Sequence, residues 1–218
     1  MKKILYLLTI TFFCSNANAQ NVGPKDMVHK FVQIIGDQII DVANDKKLNE
    51  VNKKQKIIKI IDKSIDSKWI ARFVLGRHYK NASEEQRKKF METYREFMIN
   101  TYGPKFNSYN GKKFAVNSVE KQGSFYLAKS EFNPKNSNTV VFFDFRVIED
   151  DGNYFIVDFI AEGVSLIETQ RSEFNSTINE EGLDKFLETL EKRVDALKID
   201  NNKPTKTKDS KISTNSKK

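Results

Sequence analysis

The apolar pattern of this chain changes period twice, and that limits the fold more than any other feature. From Val28 to Tyr102 large apolar residues recur at helical spacing. From Lys112 to Ala161 they read as strand, and from Ser165 to Leu197 helical spacing returns. Helices, then strands, then helices place the chain in the α+β class, with helices packed on a sheet. Val28, Phe31, Val32, Ile35, Ile39 and Val42 mark a first helix. Val51, Ile57, Ile58, Ile61 and Ile65 mark a second, and Trp69, Ile70, Phe73 and Val74 a short third that stops at Gly76. Ser83 and Gln86 form a capping box that opens a helix striped by Phe90, Tyr94, Phe97, Met98, Thr101 and Tyr102 and closed by Gly103-Pro104. Lys112–Glu120, Ser124–Phe132, Thr139–Glu149 and Asn153–Ala161 read as strands, about four in all. Gln122-Gly123 and Asp150-Asp151-Gly152 are turn signals, so the sheet is sequential and antiparallel.

The stretch from Tyr154 to Phe174 joins sheet to helix. An apolar strand stops at Gly163, Ser165 is a good N-cap, and Glu168 three residues on completes an S-x-x-E capping box. A hydrolase elbow, G-x-S-x-G, needs glycine where this chain has Ile167, so Ser165 reads as a cap and not a nucleophile. Ile167, Phe174 and Ile178 continue the helical face to a break at Glu181-Gly182. Leu183, Phe186, Leu187, Leu190, Val194 and Leu197 form a last amphipathic helix.

The N-terminus reads as a secretory signal over residues 1–19. Lys2 and Lys3 precede an apolar run, Ile4 to Phe13, that is short for a membrane span, and Ala17-Asn18-Ala19 is an A-x-A site. Cleavage after Ala19 would leave a mature chain that begins at Gln20; an uncleaved anchor is the other reading. Bulky Phe13 argues against a lipoprotein signal at Cys14. That cysteine is the only one, so a mature chain from Gln20 has no disulfide, thiolate metal site or cysteine nucleophile. The net charge of +8 suggests nucleic acid until it is located. Two lysines fall in the signal, and residues 198–218 hold seven lysines and two aspartates. The domain from 20 to 197 keeps only +1. Nucleic acid is therefore not an expected partner, and the lysine-rich tail is expected to be disordered.

Two blocks carry a family resemblance: IDSKWIARFVLGRHYKNASEEQRKKFMETYREFMINTY, Ile65 to Tyr102, and DFIAEGVSLIETQRSEF, Asp158 to Phe174. Both resemble the MlaC-type periplasmic phospholipid shuttles, also called toluene-tolerance auxiliary proteins, over residues 24–197. The chain departs from the pattern at Tyr154, where the family often has Trp, and in its tail. The resemblance implies helices and sheet around an apolar cavity that holds the acyl chains of a glycerophospholipid. It implies a periplasmic carrier with no reaction of its own, which maintains the outer membrane by moving lipid between two partners. These are an outer-membrane lipoprotein complex and an inner-membrane substrate-binding and ABC transporter complex. A monomer without cofactor or metal is expected.

The residues themselves are rich in apolar surface and poor in catalytic groupings. Fifteen of the 17 Phe lie beyond the signal. Val140 to Phe143 are apolar on both strand faces, as are Tyr154 to Ile160 apart from Asp158, so either both faces are covered or one meets an apolar space. Period two puts Val141, Phe143 and Phe145 on one face, and Phe155, Val157 and Phe159 likewise. These six, with Phe73, Tyr94, Phe97, Tyr102 and Leu166 from the helices, are the expected acyl-chain contacts. The helix-side choices rest on stripe position and on the resemblance. The competing readings are an enzyme that uses Asp144, Asp158 or His78, and a solid-core interaction module. His29 and His78 have no second His or Cys at metal spacing. Asp144 and Asp158 share a face with Arg146, which favours a cross-strand salt bridge over an acid–base pair.

Overall fold

The computed structural model describes residues 23–106, 111–135 and 139–202. Helix α1 (Pro24–Asn44) starts on a proline, which suits a first turn whose N–H groups have no partner. Asn49 caps α2 (Glu50–Ser64) by accepting from the Asn52 N–H at 2.9 Å, and Asp66 caps α3 (Ser67–Leu75) through the Trp69 N–H at 2.9 Å. A single turn, α4 (His78–Asn81), leads to α5 (Glu84–Phe106). The expected box opens α5: the Ser83 N–H donates to Gln86 Oε1 at 2.8 Å, and the Gln86 N–H to Ser83 Oγ at 3.1 Å.

Two expected boundaries move for one reason. Helix α5 does not stop at Gly103-Pro104, and the last helix, α7 (Leu183–Asn202), runs five residues past Leu197 into the expected tail. Pro104 has no N–H to offer the carbonyl of Asn100, four residues back. The Asn201 side-chain amide donates to that carbonyl at 2.9 Å instead. The extra turn of α7 thus satisfies the group that the proline orphans, and Lys198 pairs with Glu96 beside it. Residues 203–218, the rest of the expected tail, and the expected signal lie outside the described residues.

The sheet runs β1 (Gly111–Gln122), β2 (Phe125–Pro134), β3 (Val141–Asp150), β4 (Asn153–Ala161) and β5 (Val164–Ser165), in sequential antiparallel order. The fold class is the expected α+β. The fifth strand, unread in the sequence, exists because Glu162 and Gly163 both take positive φ, 51° and 78°, and fold the chain back on Ile160 and Ala161. Helix α6 (Leu166–Glu181) follows at once.

Helix α1 is tied to the free edge of β1. His29 Nε2 lies 2.9 Å from the Val116 carbonyl. Gln33 donates to the Phe114 carbonyl at 3.1 Å and accepts from the Val116 N–H at 2.9 Å. Asn44 donates to the Gly111 carbonyl at 3.1 Å. These bonds occupy backbone groups that an open edge would present to other chains. Gly36 lets the helix approach: a Cβ there would meet the Phe114 ring at 2.0 Å. Apolar side chains fall into two clusters. One unites α1 with the sheet through Val28, Val32, Phe114, Val116, Tyr126, Ala128 and Val147. The other unites α3, α5, α6 and α7 through Val74, Leu75, Phe90, Tyr94, Phe97, Phe174, Phe186 and Leu190.

Candidate functional site

The register of β3 against β4 decides which candidate residues share a face. Phe145 pairs with Phe159 and Arg146 with Asp158, but Val147 pairs with Ile156, so Val157 is an extra residue in β4. This β-bulge interrupts period two. Phe159 therefore shares a face with Phe143, Phe145, Ile156 and Tyr154. Phe155, opposite Ile148, and Val157 belong to the other. The expectation that Phe155, Val157 and Phe159 point together is corrected here. Val157 is 0% exposed.

Phe143, Phe145 and Phe159 form an aromatic group. The rings of Phe143 and Phe159 are 5.2 Å apart, those of Phe145 and Phe159 5.7 Å, and those of Phe143 and Phe145 5.6 Å and perpendicular. Buried Phe114 adjoins Phe143 at 6.0 Å and Phe145 at 6.4 Å. All three rings of the group are only half-buried, because α1 is committed to the β1 edge and lies mainly over β1 and β2. At one end Phe31 of α1, Tyr126 and Tyr154 close over the sheet, with centroids 6.2 and 6.4 Å apart. At the other end Val141 is 41% exposed and Phe142, on the reverse face, 63%. On α1, Ile34 is also exposed. Ile65, just past α2, bridges Ile156 of β4. The result is a half-open apolar shelf between α1 and β4. Sequence reasoning missed Phe114, Phe31 and Ile34. The signal was there, since Met27, Phe31 and Ile34 form an apolar stripe on α1 beside its buried one.

The helix-side candidates lie elsewhere. Tyr94 and Phe97 are buried in the cluster of α3, α5, α6 and α7, against Phe90 and Phe174. Phe73 stacks on Trp69 at 5.2 Å and lies under the Arg171 guanidinium. Tyr102 is half-buried near the end of α5 and bonds with Gln170, and Leu166 is half-buried at the first position of α6. The aromatic group on the sheet belongs to the other cluster. Tyr94 donates to buried Gln170, and burial raises its hydroxyl far above the usual tyrosine range.

Asp158 forms the joint between sheet and helix. It accepts from Ser165 Oγ at 2.6 Å and from the Ile167 N–H at 3.2 Å, and Arg146 reaches it at 3.1 Å. Ser165 caps α6 by accepting from the Glu168 N–H at 3.1 Å. The second half of the expected box is absent, because Glu168 turns to Arg146 at 2.6 Å. The cross-strand pair expected for Arg146 is therefore with Asp158. Burial raises the Asp158 carboxyl above the usual carboxylate range, opposed in part by Ser165, the Ile167 N–H and Arg146. Burial, with Arg77 nearby, lowers the His78 imidazole. A shallow groove of about 570 Å³ on α6 is lined by Arg77, Glu168, Arg171 and Asn175 and is polar, unlike the shelf. Among the described residues no group of three or more His, Cys, Asp or Glu is placed to hold a metal ion, and no helix is long and apolar enough to cross a membrane.

The fold and the shelf define an α+β domain with a half-open apolar face on its sheet. The sequence pattern described as MlaC protein matches residues 33–192, and the chain belongs to the MlaC family. It is 26% identical over 122 residues to the intermembrane phospholipid transport system binding protein MlaC of Haemophilus influenzae. That alignment covers 54% of this chain and 57% of the relative, so the chain spans little more than half the length of the relative it matches. Its fold is similar to that of a phospholipid-binding protein from Ralstonia solanacearum, solved in complex with a phospholipid. The TM-score is 0.69 at 20% identity, over 78% of this chain and 98% of that one.

Proposed function

We propose that this chain is a periplasmic carrier that binds a glycerophospholipid by its acyl chains on the Phe143–Phe145–Phe159 shelf. It moves the lipid between an outer-membrane lipoprotein complex and an inner-membrane substrate-binding and ABC transporter complex. The observation that carries the reading is the half-open aromatic group of Phe143, Phe145 and Phe159 on one sheet face, beside exposed Val141. Family membership and the named ligand of the Ralstonia protein support it. Each acyl CH₂ gains about 0.8 kcal/mol on leaving water. A ligand held by its tails needs apolar walls and few polar anchors. Val141 marks the open end, where a head group would meet water.

The reading is that of a carrier and not of an enzyme. Asp158, one of the three residues an enzyme would use, has its oxygens engaged by Ser165, Ile167 and Arg146. The test is extraction of fluorescent phospholipid from vesicles by the purified protein. The carrier reading expects soluble lipid–protein complex, and expects less of it from Phe143→Ala/Phe159→Ala at unchanged circular dichroism. No extraction by the parent protein would favour the solid-core module.

A further inference from the structure

We infer that the outward ridge of α2 is a docking surface for an anionic phospholipid bilayer. Between Asp45 and Lys68 the chain holds eight lysines and four carboxylates. Each carboxylate is already engaged. Asp45 accepts from the Lys47 backbone N–H, Glu50 pairs with Lys53, Asp62 pairs with Arg95, and Asp66 caps α3. Lys56, Lys59 and Lys63 are exposed, and their spacing of three and four residues puts them on one helix face. Lys46, Lys47 and Lys68 extend the exposed charge at the two ends of the helix. Among the described residues none of these six is in an ion pair, and the ridge holds them on one short stretch of chain.

The occupant follows from chemistry. A row of unneutralised ammonium groups complements an anionic surface and gains about five-fold in partitioning per lysine near it. Val51, 64% exposed in the first turn of α2, stands with Gln55 and Lys59 along the same side of the helix. Water disfavours an exposed aliphatic group beside lysines, but the head-group region of a bilayer accommodates both. The ridge also adjoins the shelf, since α2 leads directly into Ile65 and its bridge to β4.

The experiment is co-sedimentation of the full chain with protein-free vesicles of phosphatidylcholine, with and without 30% phosphatidylglycerol. The expected result is binding to the anionic vesicles alone, weakening as salt rises. Lys56→Gln/Lys59→Gln/Lys63→Gln should bind roughly a hundredfold more weakly, with an unchanged thermal midpoint and unchanged extraction of a tracer phospholipid from detergent micelles. That second readout separates failure of the ridge from failure of the lipid shelf. Equal binding by parent and variant overturns the inference and moves the contact to other lysines. No binding by the parent overturns it too, and leaves the ridge to an acidic protein partner.

Discussion

One extra residue, Val157, reassigns the side chains of β4. Without the bulge Val157 and Phe159 would share a face; with it, Phe159 joins Phe143 and Phe145 while Val157 is sealed on the other side. The two positions therefore respond differently to charge. Val157→Asp buries an unpaired carboxylate, which costs more than about 4 kcal/mol, and circular dichroism should show loss of fold. Phe159→Asp, on the half-open shelf, should keep the circular dichroism spectrum and lower the thermal midpoint only modestly. The same spectrum for both variants would contradict this assignment of faces.

Asp158 makes a second prediction at this scale. Burial raises its carboxyl, so the folded chain binds that proton more tightly than the unfolded chain does. Its contribution to stability is full in acid, below the ordinary value of about 4, and is lost as pH rises through the raised one. Asp158→Asn removes this dependence. The stability gap between parent and variant, from thermal melts at several pH values, should narrow as pH rises. A gap that widens would mean that Arg146, and not burial, dominates the site.

At the scale of elements, most of the fold was legible. Helical periodicity found α1, α2, α3, α5, α6 and α7, and the caps Ser83 and Ser165 were readable because capping is local. What escaped the sequence depends on partners distant in the chain. The bulge is a property of two strands together. The continuation of α5 through Pro104 depends on the bond from Asn201 to the Asn100 carbonyl, 101 residues apart in the chain. The polar residues that fasten α1, His29, Gln33 and Asn44, read as an ordinary wet face until β1 is seen against them. The candidate site divided the same way. Phe143, Phe145 and Phe159 were named, while the helix-side residues Phe73, Tyr94 and Phe97 share the α5 and α7 core because a stripe pattern does not say which partner it meets. The Asn201 bond gives a direct check. Asn201→Ala leaves the Asn100 carbonyl short of a donor and should cost about 1 kcal/mol. A chain ending at Lys198 should lose at least as much relative to one ending at Asn202. Equal thermal midpoints for those two chains would show that the bond contributes nothing.

At the scale of the whole molecule, the two apolar clusters do different work. The cluster of α3, α5, α6 and α7 is closed, its rings packed edge to face around Phe174. It provides a rigid base, locked to the sheet through Asp158, Ser165 and α6. The cluster under α1 is closed at Tyr154 and open toward Val141. An apolar surface left half-covered is costly in water unless something covers it. On the proposed function acyl chains supply that cover, and the most direct measurement asks for them by mass. Protein purified without detergent should be extracted with organic solvent and its phospholipid quantified against protein by mass spectrometry, for the parent and for Phe159→Asp. The expected result is glycerophospholipid in stoichiometric amount on the parent and its loss from the folded variant. Equal lipid on both, with the variant folded, would contradict it and move the acyl chains off this face.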